Sequence, residues 1–530
     1  MIIKFFLIMI IVINQYSNLL KEKLNLIQKY FIKKSDNDFF IFLISLTALL
    51  GTFFIPFNKI FFVWTSLYFL IVYLLTNSIK KTLIYTYLPF TLFKVGQIYT
   101  FVAVPASYIQ EAGYARGKVL EFVFSPHSIL LMTSISVSFF DLLKRLFLTE
   151  EKLKFGVKGI LLLLSLVGVI SAIKSQYIAN LSILYSLLGF GEISFFYIFI
   201  SYLKDLKKRE RFKVINIFLL HLSLVISFLS LIVLFQFVNR STLGFILESS
   251  QEIPISGTDT DFTQFRPIGI FTHANILANT LNTLLFSLLL LWFYLNEKKK
   301  LFVRKRVLFV SLIVCGLAIL VTLTRAVYLA LAVSFLLYIF FDRQIVFNIL
   351  EKVRSLVKKL RIISLLVGGY LGWIIIQRFV YSLSSFADQG GFFVRDKLFS
   401  EAISIFKQNF FWGVGRGMFI PALFRNATIE AREISFTEQN VARYFPEAVH
   451  NGFLLFLVEH GFVSFLIILF FFFFLFRRLI RSKLNLKLKV VFLLGFLSQV
   501  VVMFFHPFVN FVTLYTLMSL LVIENENDKN

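Results

Sequence analysis

The sequence predicts an all-α integral membrane protein, a bundle of about 12 to 14 transmembrane helices. Of its 530 residues, 58% are hydrophobic and 70 are phenylalanine, which is more apolar surface than a water-soluble domain can cover. The apolar residues fall in long runs, and the Lys and Arg residues that give a net charge of +25 fall in short clusters between those runs. Such clusters are topology signals and form no single basic face, so membrane lipids are expected partners and nucleic acid is not.

Runs long enough to cross roughly 30 Å of hydrocarbon recur along the chain. Residues 2–13 form a shorter run that is either interfacial or the start of one more helix. The predicted organisation is an N-terminal cytoplasmic or interfacial segment at 1–38, a transmembrane domain at 39–523 and a cytoplasmic tail at 524–530. We predict spans at residues 39–55, 60–76, 83–103, 127–143, 158–173, 181–203, 214–237, 273–295, 307–323, 326–341, 362–377, 452–476, 490–505 and 507–523.

The distribution of positive charge predicts the orientation of the bundle. The positive-inside rule makes the basic side cytoplasmic and places both termini there. The outer side then receives the longest polar stretch, 378–451, and long structured loops commonly bind or catalyse. We therefore expect function on this outer loop, which should contain short helices. Four connections fall on the basic side if every span crosses once, each with six Lys or Arg: 204–213, 296–306, 342–361 and 477–489.

His450 follows the outer loop and precedes the apolar run 452–476, so it should lie near the N-terminus of a helix. The helix macrodipole disfavours an imidazolium there, and a neutral imidazole accepts a proton, as a general base must. The alternative is an interfacial histidine that hydrogen-bonds the helix end, with Asn451 as the cap. The sequence leaves both interpretations open.

Two arginines lie on the predicted outer side. Arg325 occupies a short turn between two spans, where the positive-inside rule does not explain it. Its side chain either reaches lipid headgroups or binds a pyrophosphate in bidentate fashion. Arg395 lies in the outer loop at the head of an amphipathic stretch, and its neighbours Asp396 and Lys397 also allow a surface salt bridge.

Weaker signals come from glycines and acidic residues. The segment FWGVGRGMF, 411–419, has alternate glycines that permit tight turns and close approach to a ligand. Asp259 and Asp261 have the spacing of a metal-binding pair but lack further ligands, so we predict no metal site. Within the membrane, Glu192 and Lys94 are costly unless paired, and the two could pair with each other.

Four segments of the sequence, in this order, resemble the O-antigen ligase and polymerase superfamily, which includes bacterial protein O-oligosaccharyltransferases. The resemblance covers roughly the C-terminal half of the chain, and its strength lies in the order of the segments, with a histidine after a long outer loop. The segments are RPIGIFTHANILANTL (266–281), TLTRAVYLALAV (322–333), VRDKLFSEAISIFKQNFFWGVGRGMF (394–419) and HNGFLLFLVEHGFVSFL (450–466).

The resemblance implies an inverting glycosyl transfer, without metal or cofactor, at the periplasmic face of the bacterial inner membrane. The implied donor is a glycan on undecaprenyl pyrophosphate, and the implied acceptor hydroxyl belongs to a glycan, a lipid A core or a protein. His450 matches the residue thought to act as base, and Arg325 and Arg395 match the cations that hold the pyrophosphate. We expect five further residues of these segments to bind substrate: Arg266, Asn275, Gly415, Arg416 and Asn451.

Two other functional classes compete with this interpretation. A flippase or transporter of lipid-linked glycans has a similar number of spans and basic cavity residues, but it should have two related halves and loops of similar length. A non-catalytic scaffold leaves no reason for His450, Arg325 and Arg395 to occur together on one face. The sequence does not distinguish a ligase from a polymerase or a protein glycosyltransferase.

Overall fold

The computed structural model of the protein describes most of the membrane-spanning chain. The residues described are 37–52, 54–55, 58–93, 97–102, 119–148, 157–175, 178–244, 267–271, 273–301, 303, 305–341, 369, 390–426 and 449–506. They form α1 (Asn37–Gly51), α2 (Asn58–Thr76), α3 (Ile79–Phe90), β1 (Gln97–Val102), β2 (Val119–Phe124), α4 (Pro126–Leu148), α5 (Val157–Ile173), α6 (Ala179–Asp205), α7 (Lys208–Asn239), α8 (Ala274–Glu297), α9 (Lys305–Val321), α10 (Arg325–Phe341), α11 (Gly390–Gln408), α12 (Phe419–Asn426), α13 (Gly452–Arg481) and α14 (Leu486–Phe505).

The predicted class, an all-α polytopic membrane protein, is confirmed. Within the described residues, seven helices are long and apolar enough to cross a membrane, namely α2, α4, α6, α7, α8, α13 and α14. Large apolar side chains such as Val63, Phe140 and Phe473 lie exposed on the outside of the bundle. A surface of this kind would drive association in water, but in a bilayer it is the surface that contacts lipid.

The predicted span at 83–103 is wrong. Helix α3 ends at Phe90, one residue after Pro89, and the chain then forms β1, which pairs antiparallel with β2 so that Gln97 lies opposite Phe124. The strand sequence QIYTFV is rich in β-branched and aromatic residues, which favour a strand. A proline removes a backbone donor and so weakens continuation of the helix. Apolarity alone did not reveal this change of structure.

Other predicted segments lie partly or wholly outside the described residues. These include the N-terminal segment 1–38 and the spans at 362–377 and 507–523. In the predicted outer loop, 378–451, the described part contains α11 and α12, so short helices are present there as expected.

The centre of the bundle is formed by α7 and α8. In the 18-residue apolar stretch of each helix, 72% of the residues are buried in α7 and 67% in α8. The share in α2 is 22%, so α2 is peripheral. A seam of polar side chains joins α8 to α14. The amide of Asn282 donates to the Ser498 hydroxyl at 2.7 Å, and the Gln499 amide donates to Asn279 at 2.9 Å. Such bonds between helices fix their register, because an unpaired amide is costly in an apolar core.

Three of the basic connections meet at one end of the bundle. Asn485, at the start of α14, donates to the Glu297 carboxylate at the end of α8, at 2.5 Å. Asn216, near the start of α7, donates to the carbonyl of Lys300 at 2.8 Å. The connections at 204–213, 296–306 and 477–489 therefore share an end, as the sequence predicts. The fourth connection, 342–361, lies outside the described residues.

Candidate active site

Three helix ends converge at the end of the bundle opposite the basic connections. Here α8 and α13 begin and α14 ends. The first residue of α13 is Gly452, and a Cβ atom there would lie 3.1 Å from the carbonyl oxygen of His506 and 3.4 Å from that of Met503. Glycine therefore lets the start of α13 lie directly against the end of α14.

His450 lies just outside the N-terminus of α13, as predicted. The N-cap is Asn451, whose side-chain oxygen accepts a hydrogen bond from the Leu454 N–H at 2.9 Å. Because Asn451 caps the helix, the His450 ring is not needed for that structural role. The ring is partly buried, and its centroid is 6.1 Å from that of His506.

Asn275 and two further histidines complete this cluster. Nδ1 of His273 accepts a hydrogen bond from the Asn275 N–H at 3.0 Å and so caps α8. The Asn275 side-chain amide lies 3.4 Å from Nδ1 of His506. The sequence patterns did not single out His273 or His506. Both precede or follow an apolar run, which is the pattern that drew attention to His450.

Arg325 is joined to this cluster through its neighbour. It is the first residue of α10, and its side chain is exposed. The preceding residue, Thr324, is buried, and its hydroxyl donates to the carbonyl of Ala274 at 3.4 Å. The start of α10 therefore contacts the start of α8, next to Asn275.

The remaining charged candidates are only partly covered by the structure. Arg395 lies in α11, which packs against α13, but its side chain is outside the described part. Arg266, Asp259 and Asp261 also lie outside the described residues. Their roles therefore stay predictions. Among the residues that the structure does describe, no group of three or more His, Cys, Asp or Glu is arranged to hold a metal ion.

The glycine-rich segment packs into a break in α13. Gly461 has φ 74° and ψ 175°, which interrupts the helix. The loop of residues 409–418, here named the glycine loop, occupies the break and satisfies backbone groups that the interrupted helix leaves unpaired. Its hydrogen bonds run from Phe462 N–H to Phe410 C=O (2.8 Å), from Val414 N–H to Val458 C=O (2.9 Å) and from Gly415 N–H to Glu459 C=O (3.0 Å).

The glycines of this loop are required by close packing. Gly413, Gly415 and Gly417 all have positive φ, between 70° and 100°. A Cβ at Gly415 would lie 2.6 Å from the Ser182 hydroxyl, and one at Gly417 would lie 2.5 Å from the Tyr185 ring, so the loop lies flat against α6. The close approach predicted for these glycines is therefore an approach to other helices. Substrate binding by Gly415 stays a prediction.

Arg416 and Glu459 lock the glycine loop to α13. The guanidinium of Arg416 lies against Gly189 of α6, where a Cβ would collide with it. Arg416 also interacts electrostatically with Glu459 and His460. The Glu459 carboxylate accepts hydrogen bonds from the backbone N–H groups of Gly417 and Phe419. These contacts give Arg416 a structural role. Its predicted role in substrate binding stays a prediction.

We expect Glu459→Leu to lower the free energy of unfolding by about 2–3 kcal/mol, because two backbone donors and Arg416 lose their acceptor. Glu459→Gln keeps one acceptor oxygen and should cost about 1 kcal/mol. Thermal unfolding of the purified protein in detergent measures both. Equal stability of the two variants and the native protein would mean that the carboxylate does not hold the loop.

A second polar group lies between α3, α4 and α6. Glu192 accepts a hydrogen bond from the Tyr87 hydroxyl at 2.7 Å and lies 3.5 Å from Nε2 of His127. Lys94, the partner that the sequence suggested, is outside the described residues. The Tyr87 hydroxyl therefore satisfies this intramembrane carboxylate in part.

Part of the sequence is similar to a known protein family. Residues 308–469 match the family profile described as O-antigen ligase, and a search of curated proteins finds no matching sequence. The match supports an activity of the O-antigen ligase or polymerase type. It includes His450, Arg325 and Arg395, whereas Asn275 and His506 lie outside it. Residues 308–469 are therefore similar to the O-antigen ligase family, in a chain with multiple membrane-spanning helices.

Proposed function

We propose that the protein transfers a glycan from undecaprenyl pyrophosphate to an acceptor hydroxyl at the periplasmic face of the bacterial inner membrane. The observation that carries this proposal is the cluster at one end of the bundle. His450, Asn275 and the helix start with Arg325 meet there, opposite the end with the basic connections. Under the positive-inside rule the basic end is cytoplasmic, so the cluster faces outward.

The proposed reaction is an inverting displacement. The acceptor oxygen forms a bond to the anomeric carbon while the bond from that carbon to the pyrophosphate oxygen breaks, and the bonding electrons leave with the pyrophosphate. His450 takes the proton of the acceptor hydroxyl. Arg325 and Arg395 are the proposed counter-charges for the leaving pyrophosphate, whose negative charge grows as the bond breaks. No metal is needed in this scheme.

The position of Arg325 supports the donor proposed here. A polyprenyl chain stays in the hydrocarbon, so its pyrophosphate lies at the level of the headgroups. Arg325 is exposed at a helix end on the same side as His450. An arginine at this depth reaches a pyrophosphate without leaving the interface.

We expect cells without the protein, and cells that carry Arg325→Ala or Arg395→Ala, to accumulate glycan on its lipid carrier. The loss of one cationic contact to the leaving group should reduce transfer by roughly 10²–10³. The measurement is the length and amount of glycan on the carrier and on its final acceptor. Stranded long polymer identifies a ligase, and stranded single repeats identify a polymerase.

A membrane-impermeant label separates this proposal from the flippase alternative. An enzyme acting outside leaves its stranded donor accessible to a label added to spheroplasts, whereas loss of a flippase leaves the donor inside. An unchanged glycan profile in all three strains, with the variant proteins present at native levels, would contradict the proposed function.

A further inference from the structure

His506 lies outside the matched family segment, and its contacts are unusual for a residue at a helix end. It terminates α14, and its N–H donates to the Val502 carbonyl at 2.9 Å. Its ring is partly buried, its Nδ1 lies 3.4 Å from the Asn275 amide, and its centroid lies 6.1 Å from that of His450. The residue is therefore held by the backbone at one atom and by a neighbouring side chain at another.

The contact with Asn275 determines which nitrogen of His506 carries the proton. An amide nitrogen only donates, so the Asn275 amide donates to Nδ1 of His506 at 3.4 Å. In a neutral ring the proton then lies on Nε2, which becomes the donor.

The polar seam between α8 and α14 keeps these two residues opposite each other. The pairs Asn282 with Ser498 and Gln499 with Asn279 lie along the same antiparallel seam. Asn275 is one helical turn before Asn279, and His506 lies two turns beyond Gln499. The register set in the buried part of the seam thus brings Asn275 and His506 together at its outer end.

The distance between His450 and His506 suits a single oxygen atom. Their ring centroids are 6.1 Å apart with an angle of 53° between the planes. An oxygen that hydrogen-bonds one nitrogen of each ring at about 2.9 Å fits between rings at this separation. A hydroxyl in this position donates its proton to one ring and accepts a hydrogen bond from the other through one lone pair. Its second lone pair remains for bond formation.

We propose that His506 binds the acceptor hydroxyl, with Asn275 as its positioning residue. Nε2–H of His506 donates to one lone pair of the acceptor oxygen, and the hydroxyl proton passes to His450 as the other lone pair attacks the anomeric carbon. The proposal rests on the proposed function, because it needs an acceptor and a base. It adds a residue whose hydrogen bond to the acceptor is the same before and during the reaction, and a contact of this kind lowers the half-saturating concentration without raising the maximal rate.

The test is the dependence of transfer rate on substrate concentration. Purified full-length protein is mixed with detergent-solubilised membranes of the deletion strain, which hold both stranded donor and unmodified acceptor. We expect His506→Phe to raise the half-saturating concentration of the solubilised membrane substrate about ten-fold, which is the factor for one lost hydrogen bond. The maximal rate should change less than about two-fold. His506→Gln keeps an N–H donor at the position of Nε2 and should stay within about three-fold of the native protein.

Asn275→Leu tests the positioning role. It should raise the half-saturating concentration as His506→Phe does, and the double variant should show no larger change, because both substitutions remove the same interaction. The matched control is Phe505→Leu, which changes the exposed neighbour of His506. Thermal unfolding of each variant checks that the helix end is intact.

Several outcomes would overturn the proposal. Native behaviour of His506→Phe excludes a role in acceptor binding, and equal loss in His506→Phe and His506→Gln indicates packing. If the increases caused by His506→Phe and Asn275→Leu multiply in the double variant, Asn275 does not act through His506. If His450→Ala still transfers glycan, the proposed function fails; if it is inactive while His506→Phe is normal, only this inference fails.

Discussion

Replacement of His450 by alanine is expected to reduce glycan transfer by a factor of about 10²–10⁴, the usual contribution of a general base. The ring lies at the start of α13, next to the N-cap residue Asn451 and 6.1 Å from the ring of His506. Since Asn451 caps the helix, removal of the imidazole should leave α13 intact. The loss should therefore appear in the maximal rate, at all substrate concentrations.

The measurement is transfer by purified protein with the solubilised membranes of the deletion strain as substrate. His450→Gln should be as inactive as His450→Ala, because an amide is not a base at neutral pH. This differs from position 506, where glutamine should substitute for histidine. Leu466→Ala, at an exposed position of the same helix, is the control. Native activity of His450→Ala in stable protein would remove the proposed base.

The second large effect is expected from Gly461→Ala. Gly461 has φ 74°, and a Cβ there would collide with the carbonyl of Phe411. Neither the left-handed backbone nor the contact with another backbone can relax cheaply, so we expect a loss of more than about 2 kcal/mol of stability. The glycine loop should also detach from α13, because its hydrogen bonds depend on the break.

Thermal unfolding and protease resistance of the purified protein measure this effect. Gly316→Ala is the matched control, since this glycine lies in α9 and a Cβ there would have no atom within 4 Å outside its own helix backbone. That substitution should be neutral or slightly stabilising, because alanine is the better helix former. Similar stability of Gly461→Ala and Gly316→Ala would contradict the structural role of the break.

The sequence was informative wherever a local pattern reports a local structure. It predicted the membrane class, the start of α13 after Asn451, a short turn between α9 and α10 and the shared side of the basic connections. Hydropathy and capping depend on neighbouring residues, so these features can be predicted from one chain. It failed at 83–103, because hydropathy averaged over a window does not distinguish an apolar strand from a helix.

Long-range contacts explain what the sequence could not reveal. Asn275 and His506 are 231 residues apart, and only the antiparallel register of α8 and α14 brings them together. The glycine spacing suggested a close approach but not its partners, which are α6 and the break at Gly461 in α13. Composition and periodicity thus determined the membrane class. The packing of helices decided which candidates meet, because hydrogen bonds between distant side chains follow from helix register and from no local property of the chain.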